Sequence, residues 1–190
     1  GQETSVVAEG TDDPMGSTIA GTGGVRTLTQ CVKPASRGVI ALPATADTQL
    51  KIVNPDASEA AIDLTLYGAE GEIQSLGARG ITLAAYEERA IALSVLTKKA
   101  TPVGVSFQAS RGRAAVMAIT QTQSSGTAAG PSQLGTSHLL PGIPAGATSS
   151  VVVLANPGET RITANLTAYG TTPAYHPQGG ENISVPPHAS

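Results

Sequence analysis

Asn54-Pro55-Asp56-Ala57-Ser58-Glu59-Ala60-Ala61-Ile62-Asp63-Leu64-Thr65-Leu66-Tyr67-Gly68 is the stretch that decides the fold. It recurs without a gap as Asn156-Pro157, followed by Leu166-Thr167-Ala168-Tyr169-Gly170, an offset of 102 residues. Gly77 and Ile81-Thr82-Leu83 continue it, matched by Gly179 and Ile183-Ser184-Val185; 8 of the 30 positions from 54 to 83 are identical. The apolar pattern repeats in phase with a period of two. In the first copy Ala60, Ile62, Leu64 and Leu66 share one face, and Ala61, Asp63, Thr65 and Tyr67 the other. In the second, Ile162, Ala164, Leu166 and Ala168 oppose Thr163, Asn165, Thr167 and Tyr169. That alternation predicts a strand with one buried face. Residues 49–53 and 150–155 predict a further strand ahead of each Asn-Pro, which starts a turn because proline fixes φ and cannot extend a ladder.

Working outward, strands are expected at 39–42, 80–83, 89–95, 103–109 and 114–121. In 89–95, Ile91, Leu93 and Val95 alternate against Ala92 and Ser94. A helix over 84–96 is the rival, since Leu83, Tyr86, Ala90, Leu93 and Thr97 fall near helical spacing. Pro186-Pro187 stand where the first copy has Ala84-Ala85, which argues for a loop. About seven strands in the 85 residues from 37 to 121 predict an all-β chain of tandem immunoglobulin-like antiparallel β-sandwich units. The first unit is set at 37–121 and the second, incomplete one at 137–190. A Ser/Thr/Gly/Ala-rich linker is expected at 122–136. Residues 1–36 carry strands at 4–8 and 26–32, either the tail of a preceding unit or the completion of the second. The second unit lacks counterparts of the last three strands, and a sandwich without them exposes edges and half a core.

Composition narrows the function. Among 190 residues there are 11 basic and 14 acidic, a net charge of −3, with only 13% charged. Lys98-Lys99 and Arg111-Gly112-Arg113 are the densest basic spots, too sparse for a nucleic-acid footprint. No apolar run approaches the ~20 residues that span a bilayer. The chain opens without a signal peptide and so reads as a mature or excised fragment. Cys31 stands alone, far in sequence from His138, His176 and His188; a small buried hydrophobe is the expected role.

The ordered set Leu28-Thr29-Gln30-Cys31-Val32-Lys33-Pro34, Leu50-Lys51-Ile52-Val53-Asn54-Pro55, Leu64-Thr65-Leu66-Tyr67-Gly68, Gly80-Ile81-Thr82-Leu83 and Leu140-Pro141-Gly142-Ile143-Pro144 resembles an actinobacterial secreted family, domain of unknown function 5719. The resemblance covers about residues 25–188. It implies export from a Gram-positive, high-GC organism and carries no catalytic residues. Family members often hold a Trp-Phe-like pair soon after the Cys-Pro element. This chain has Ala35-Ser36-Arg37-Gly38 there.

No nucleophile elbow, zincin motif or phosphate loop is present. The acidic pairs Asp12-Asp13, Asp56 with Glu59, Glu70 with Glu72, and Glu87-Glu88 lack calcium-loop spacing. No catalytic residue, cofactor or metal is therefore expected. The expectation is a non-catalytic, extracytoplasmic structural or interaction protein of the cell envelope, for example an accessory to a membrane-bound or wall-building enzyme. Its partner is a protein or a cell-wall glycan. The second expectation is a carbohydrate-binding module, whose platforms need exposed aromatics. Tyr67 and Tyr169, at matching positions on the polar strand face, and Tyr175 with His176 on a Pro/Gly loop are the candidate ligand contacts.

Overall fold

The computed structural model describes residues 16–20, 26–30, 32–42, 47–98, 103–121, 126–130, 152–168 and 176–190. In chain order the elements are β1 (Gly16–Ala20), β2 (Arg26–Gln30), β3 (Arg37–Leu42), β4 (Thr48–Val53), β5 (Ala60–Gly68), β6 (Gly71–Ile73), a 3-10 turn (Leu76–Ala78), β7 (Ile81–Leu83), β8 (Glu88–Ala92), a single α turn α1 (Leu93–Leu96), β9 (Val103–Arg111), β10 (Ala115–Gln121), β11 (Gly126–Ala129), β12 (Ile162–Ala164) and β13 (Ile183–Val185). All strand pairing among the described residues is antiparallel.

Two sheets dominate. One runs β3-β9-β5-β6, with β7 also on β5; the other runs β11-β10-β4-β8. The alternation in β5 works as expected, with Ala60, Ile62, Leu64 and Leu66 buried. Ile62, Leu64 and Leu66 meet Leu50 and Ile52 of β4, Val103, Val105 and Phe107 of β9, and Val116 of β10 in one core shared by both sheets. Apolar burial of this kind is the main drive to fold, about 1.5–3 kcal/mol per fully buried large side chain.

Four expectations need correction. The strand expected in the second copy is seen only as β12 (Ile162–Ala164), and Ile162, on its expected buried face, is exposed. The strand at 89–95 ends at Ala92, and Leu93–Leu96 form one α turn instead. Leu93 and Leu96, three apart, are both buried, while Val95 faces solvent. Burial thus follows helical spacing at this point and breaks the alternation of Ile91, Leu93 and Val95. The rival helix over 84–96 is confined to that one turn. Next, the linker expected at 122–136 contains β11, paired to β10 with Ala118 opposite Ala129. Small residues suffice there because ladder bonds come from the backbone. Last, the strand expected at 150–155 is irregular over 152–155. Of the N-terminal strands, 26–32 is seen as β2 (Arg26–Gln30), whereas 4–8 lies outside the described residues. β2 pairs with β1 and lies beside β11.

β12 and β13 form a separate two-stranded sheet. Among the described residues of 152–190, Val185 and Ala189 are the buried hydrophobics. These described residues therefore form little core of their own and lean on what they touch.

Candidate functional site

The Asn-Pro turn is a buried hydrogen-bond hub. Asn54 is 0% exposed. Its Nδ2 donates to the carbonyls of Ser58 at 2.7 Å, Ala84 at 2.8 Å and Leu83 at 3.4 Å. Its Oδ1 accepts from the Asp56 amide at 3.1 Å. One side chain thus ties the β4–β5 turn to the end of β7. Proline at 55 holds the turn, and the amide satisfies carbonyls that the turn leaves without ladder partners.

The second copy rebuilds this hub atom for atom. Asn156 Nδ2 donates to the carbonyls of Thr160 at 2.8 Å, Pro186 at 2.9 Å and Val185 at 3.2 Å, and Oδ1 accepts from the Gly158 amide at 3.1 Å. Asp63 Oδ1 accepts from the Gly80 amide at 2.7 Å, and Asn165 Oδ1 from the Asn182 amide at 2.7 Å. Ala60 pairs with Leu83 and Ile162 with Val185. Every equivalence has the 102-residue offset of the sequence repeat. The left-handed backbone repeats as well, at Tyr86 (φ 58) and His188 (φ 51). Each amide donates to the turn carbonyl, Tyr86 to Asp56 O at 3.2 Å and His188 to Gly158 O at 3.3 Å. For a bulky side chain that conformation costs on the order of 1 kcal/mol or more.

Two loop carboxyls are tuned by this geometry. The Arg113 guanidinium beside Asp56, 2.9 Å away, holds that carboxyl below its ordinary value. Glu87 is also held low, first by the Ala84 amide at 2.7 Å and then by Arg89. Both folded values are depressed, so their stabilisation is present at neutral pH and fades as pH falls through them. Acidification below about pH 4 is therefore expected to lower amide protection, taken relative to the intrinsic exchange rate at each pH, in 54–59 and 84–88 ahead of the core. Asp56→Asn and Glu87→Gln together should flatten that dependence.

The second copy is seated on the first. Tyr67 lies on the outer face of β5, opposite Gly104 of β9. The His188 ring stacks over it, centroids 6.1 Å apart with an interplanar angle of 24°. The Ser190 amide donates to Gly68 O at 3.1 Å, and its hydroxyl to Tyr67 O at 2.9 Å. Gly104 forms the floor. A Cβ there would lie 2.8 Å from Ala155 Cβ, 3.3 Å from Tyr67 Cδ2 and 3.5 Å from Ser190 Cβ.

This seam decides where the candidate ligand contacts stand. Tyr67 is 5% exposed, and its hydroxyl is engaged by Ser106 Oγ at 2.8 Å, so the ring belongs to an internal contact. His176 is exposed and holds its own loop, with Nδ1 2.9 Å from Leu166 O. Tyr169 and Tyr175 lie outside the described residues. Among the described residues no group of three or more His, Cys, Asp or Glu is placed to hold a metal. No helix there is long and apolar enough to cross a membrane. A depression of about 250 Å³ beside β5, lined by Leu64, Thr65, Ile73, Ala78, Glu72 and Arg79, offers one ion pair, Arg79–Glu72 at 3.4 Å, and no nucleophile–base pair.

A family model of unknown function, DUF5719, matches residues 15–153. The chain belongs to that family. The DUF5719 match takes in β1 to β11 and ends before Asn156, so the repeated hub and the seam residues 155–190 lie beyond it. No curated protein and no solved structure matches the chain.

The hub and the seam were missed as sites in the sequence, where Asn54 and Asn156 read as turn initiators. The available signal was the return of Asn, rather than any turn former, at both positions.

Proposed function

We propose that this DUF5719 chain is a non-catalytic, extracytoplasmic structural or interaction protein of an actinobacterial cell envelope, built from tandem immunoglobulin-like sandwich units. The observation that carries the reading is the seam. A second copy of the Asn-hub hairpin, with little core of its own among the described residues, is seated on the outer face of the first by Tyr67, His188, Ser190 and Gly104. An array assembled by such contacts works through extended surfaces. Two antiparallel sheets around one core support the sandwich assignment. In immunoglobulin terms β4, β5, β8 and β9 take the places of strands B, C, E and F. The flanking strands are exchanged: β3 pairs with β9, and β10 with β4. The glycan-binding reading is weaker because Tyr67 is covered.

The test is to fractionate expressing cells and to incubate the purified chain with wall glycan from a high-GC Gram-positive bacterium. Recovery in the envelope fraction, with no soluble sugar released above a buffer control, is expected. Robust glycan turnover, or a wholly cytoplasmic location, ends the reading.

A further inference from the structure

Tyr86 has the backbone of a docking residue and no dock among the described residues. It matches His188 in its place in the repeat, in its left-handed φ and in its amide bond to the Asn-Pro loop. His188 spends that strained conformation on a stack over Tyr67. Tyr86 presents its ring to solvent, 71% exposed. The loop holding it is tied down by hydrogen bonds: Glu87 O accepts from the Asn54 backbone N–H at 2.9 Å, and the Glu87 carboxylate clasps the Ala84 amide and Arg89. A strained, exposed and preorganised aromatic is costly without a partner, and tyrosine is enriched among residues that anchor interfaces.

We infer that Tyr86 is an inter-unit anchor, and that its partner is the Tyr-over-Gly face of another unit of this same repeat, the face that Tyr67 and Gly104 form here. The inference rests on the reading of stacked units. Its argument is continuity with the seam: the chain already shows one such loop, 102 residues on, seated on one such face. The contact is heterologous, loop of one unit on face of another, so it extends an array and does not close a two-fold pair.

The test uses the whole chain with its own face opened. His188→Gly and Ser190→Gly remove the ring and hydroxyl that cover Tyr67, and glycine suits the left-handed backbone at 188. Sedimentation velocity over a concentration series should show a monomer for the native chain and association for the opened variant. Adding Tyr86→Gly, again compatible with its φ, should return the opened variant to monomer. A monomeric opened variant overturns the inference. So does association that survives Tyr86→Gly. Amide exchange of 152–168 and 176–190 in the same samples separates the two readings. Faster exchange without association sinks the anchor and keeps the seam, whereas unchanged exchange sinks both. A wall glycan retained by the native chain and lost with Tyr86→Gly, with no association in the opened variant, reassigns the ring to a sugar.

Discussion

Replacing Asn54 by Ala is expected to destabilise the two-sheet core by about 3 kcal/mol, because it strands the buried Leu83 carbonyl and three part-buried backbone groups rather than merely deleting contacts. The carbonyls of Ser58, Leu83 and Ala84 and the amide of Asp56 all converge on this one amide side chain. At 0% exposure, water does not replace it without opening the turn. Asn54→Asp is expected to be at least as damaging at neutral pH. It keeps the shape, but it turns a donor into a charged acceptor facing three carbonyl oxygens. Urea unfolding followed by far-ultraviolet circular dichroism should show the midpoint falling at unchanged slope. Asn156→Ala removes the same bonds from the second copy, yet that copy adds little to the shared core. Its effect should be confined to exchange in 152–168 and 176–190, with the unfolding free energy of the main transition lowered by less than about 0.5 kcal/mol. Equal midpoint losses for the two alanine variants would mean that both copies unfold as one cooperative body.

How much of this was legible follows from where the information sits. The hairpin Ala60–Leu83 could be read because its period-2 burial is local, and because the same pattern returns in phase 102 residues on. The faces of β5 were assigned correctly for Ile62, Leu64 and Leu66. That Tyr67 packs against a neighbouring strand or loop could be weighed from the sequence, but which residues bury it could not. It lies on the polar side of that strand, and what covers it comes from residues 155–190 and from the register that sets Gly104 opposite it. Register between segments 37 residues apart leaves no trace in a single sequence. β1 and β11 were missed for another reason: Gly, Ala, Thr and Ser dominate them, so hydrophobic periodicity is silent while backbone pairing proceeds. The α turn at Leu93–Leu96 shows the opposite failure. Alternation was present in Ile91, Leu93 and Val95, and the need to bury Leu96 beside Leu93 overrode it.

Gly104→Ala is expected to unseat the second copy while leaving the first folded. The added Cβ falls 2.8 Å from Ala155 Cβ, well inside contact distance, and neither atom can swing away because each is fixed to its backbone. Forced overpacking of this kind costs about 1–3 kcal/mol. Expressed as an opening equilibrium, that is about 5- to 150-fold. The strain should be discharged where least energy opposes it. The described residues of 152–190 hold few buried apolar groups, whereas β9 is locked between β3 and β5. Amide exchange should therefore accelerate over 152–168 and 176–190, with β3, β5 and β9 still protected. Ala155→Gly deletes the opposing methyl, so the double variant Gly104→Ala/Ala155→Gly should regain most of the lost protection. Rescue separates a seam clash from damage inside the first unit, where the same Cβ meets Tyr67 Cδ2 at 3.3 Å. If the single variant slackens β5 and β9 instead, and Ala155→Gly restores nothing, Gly104 serves the Tyr67 ring alone and the second copy is held by other contacts.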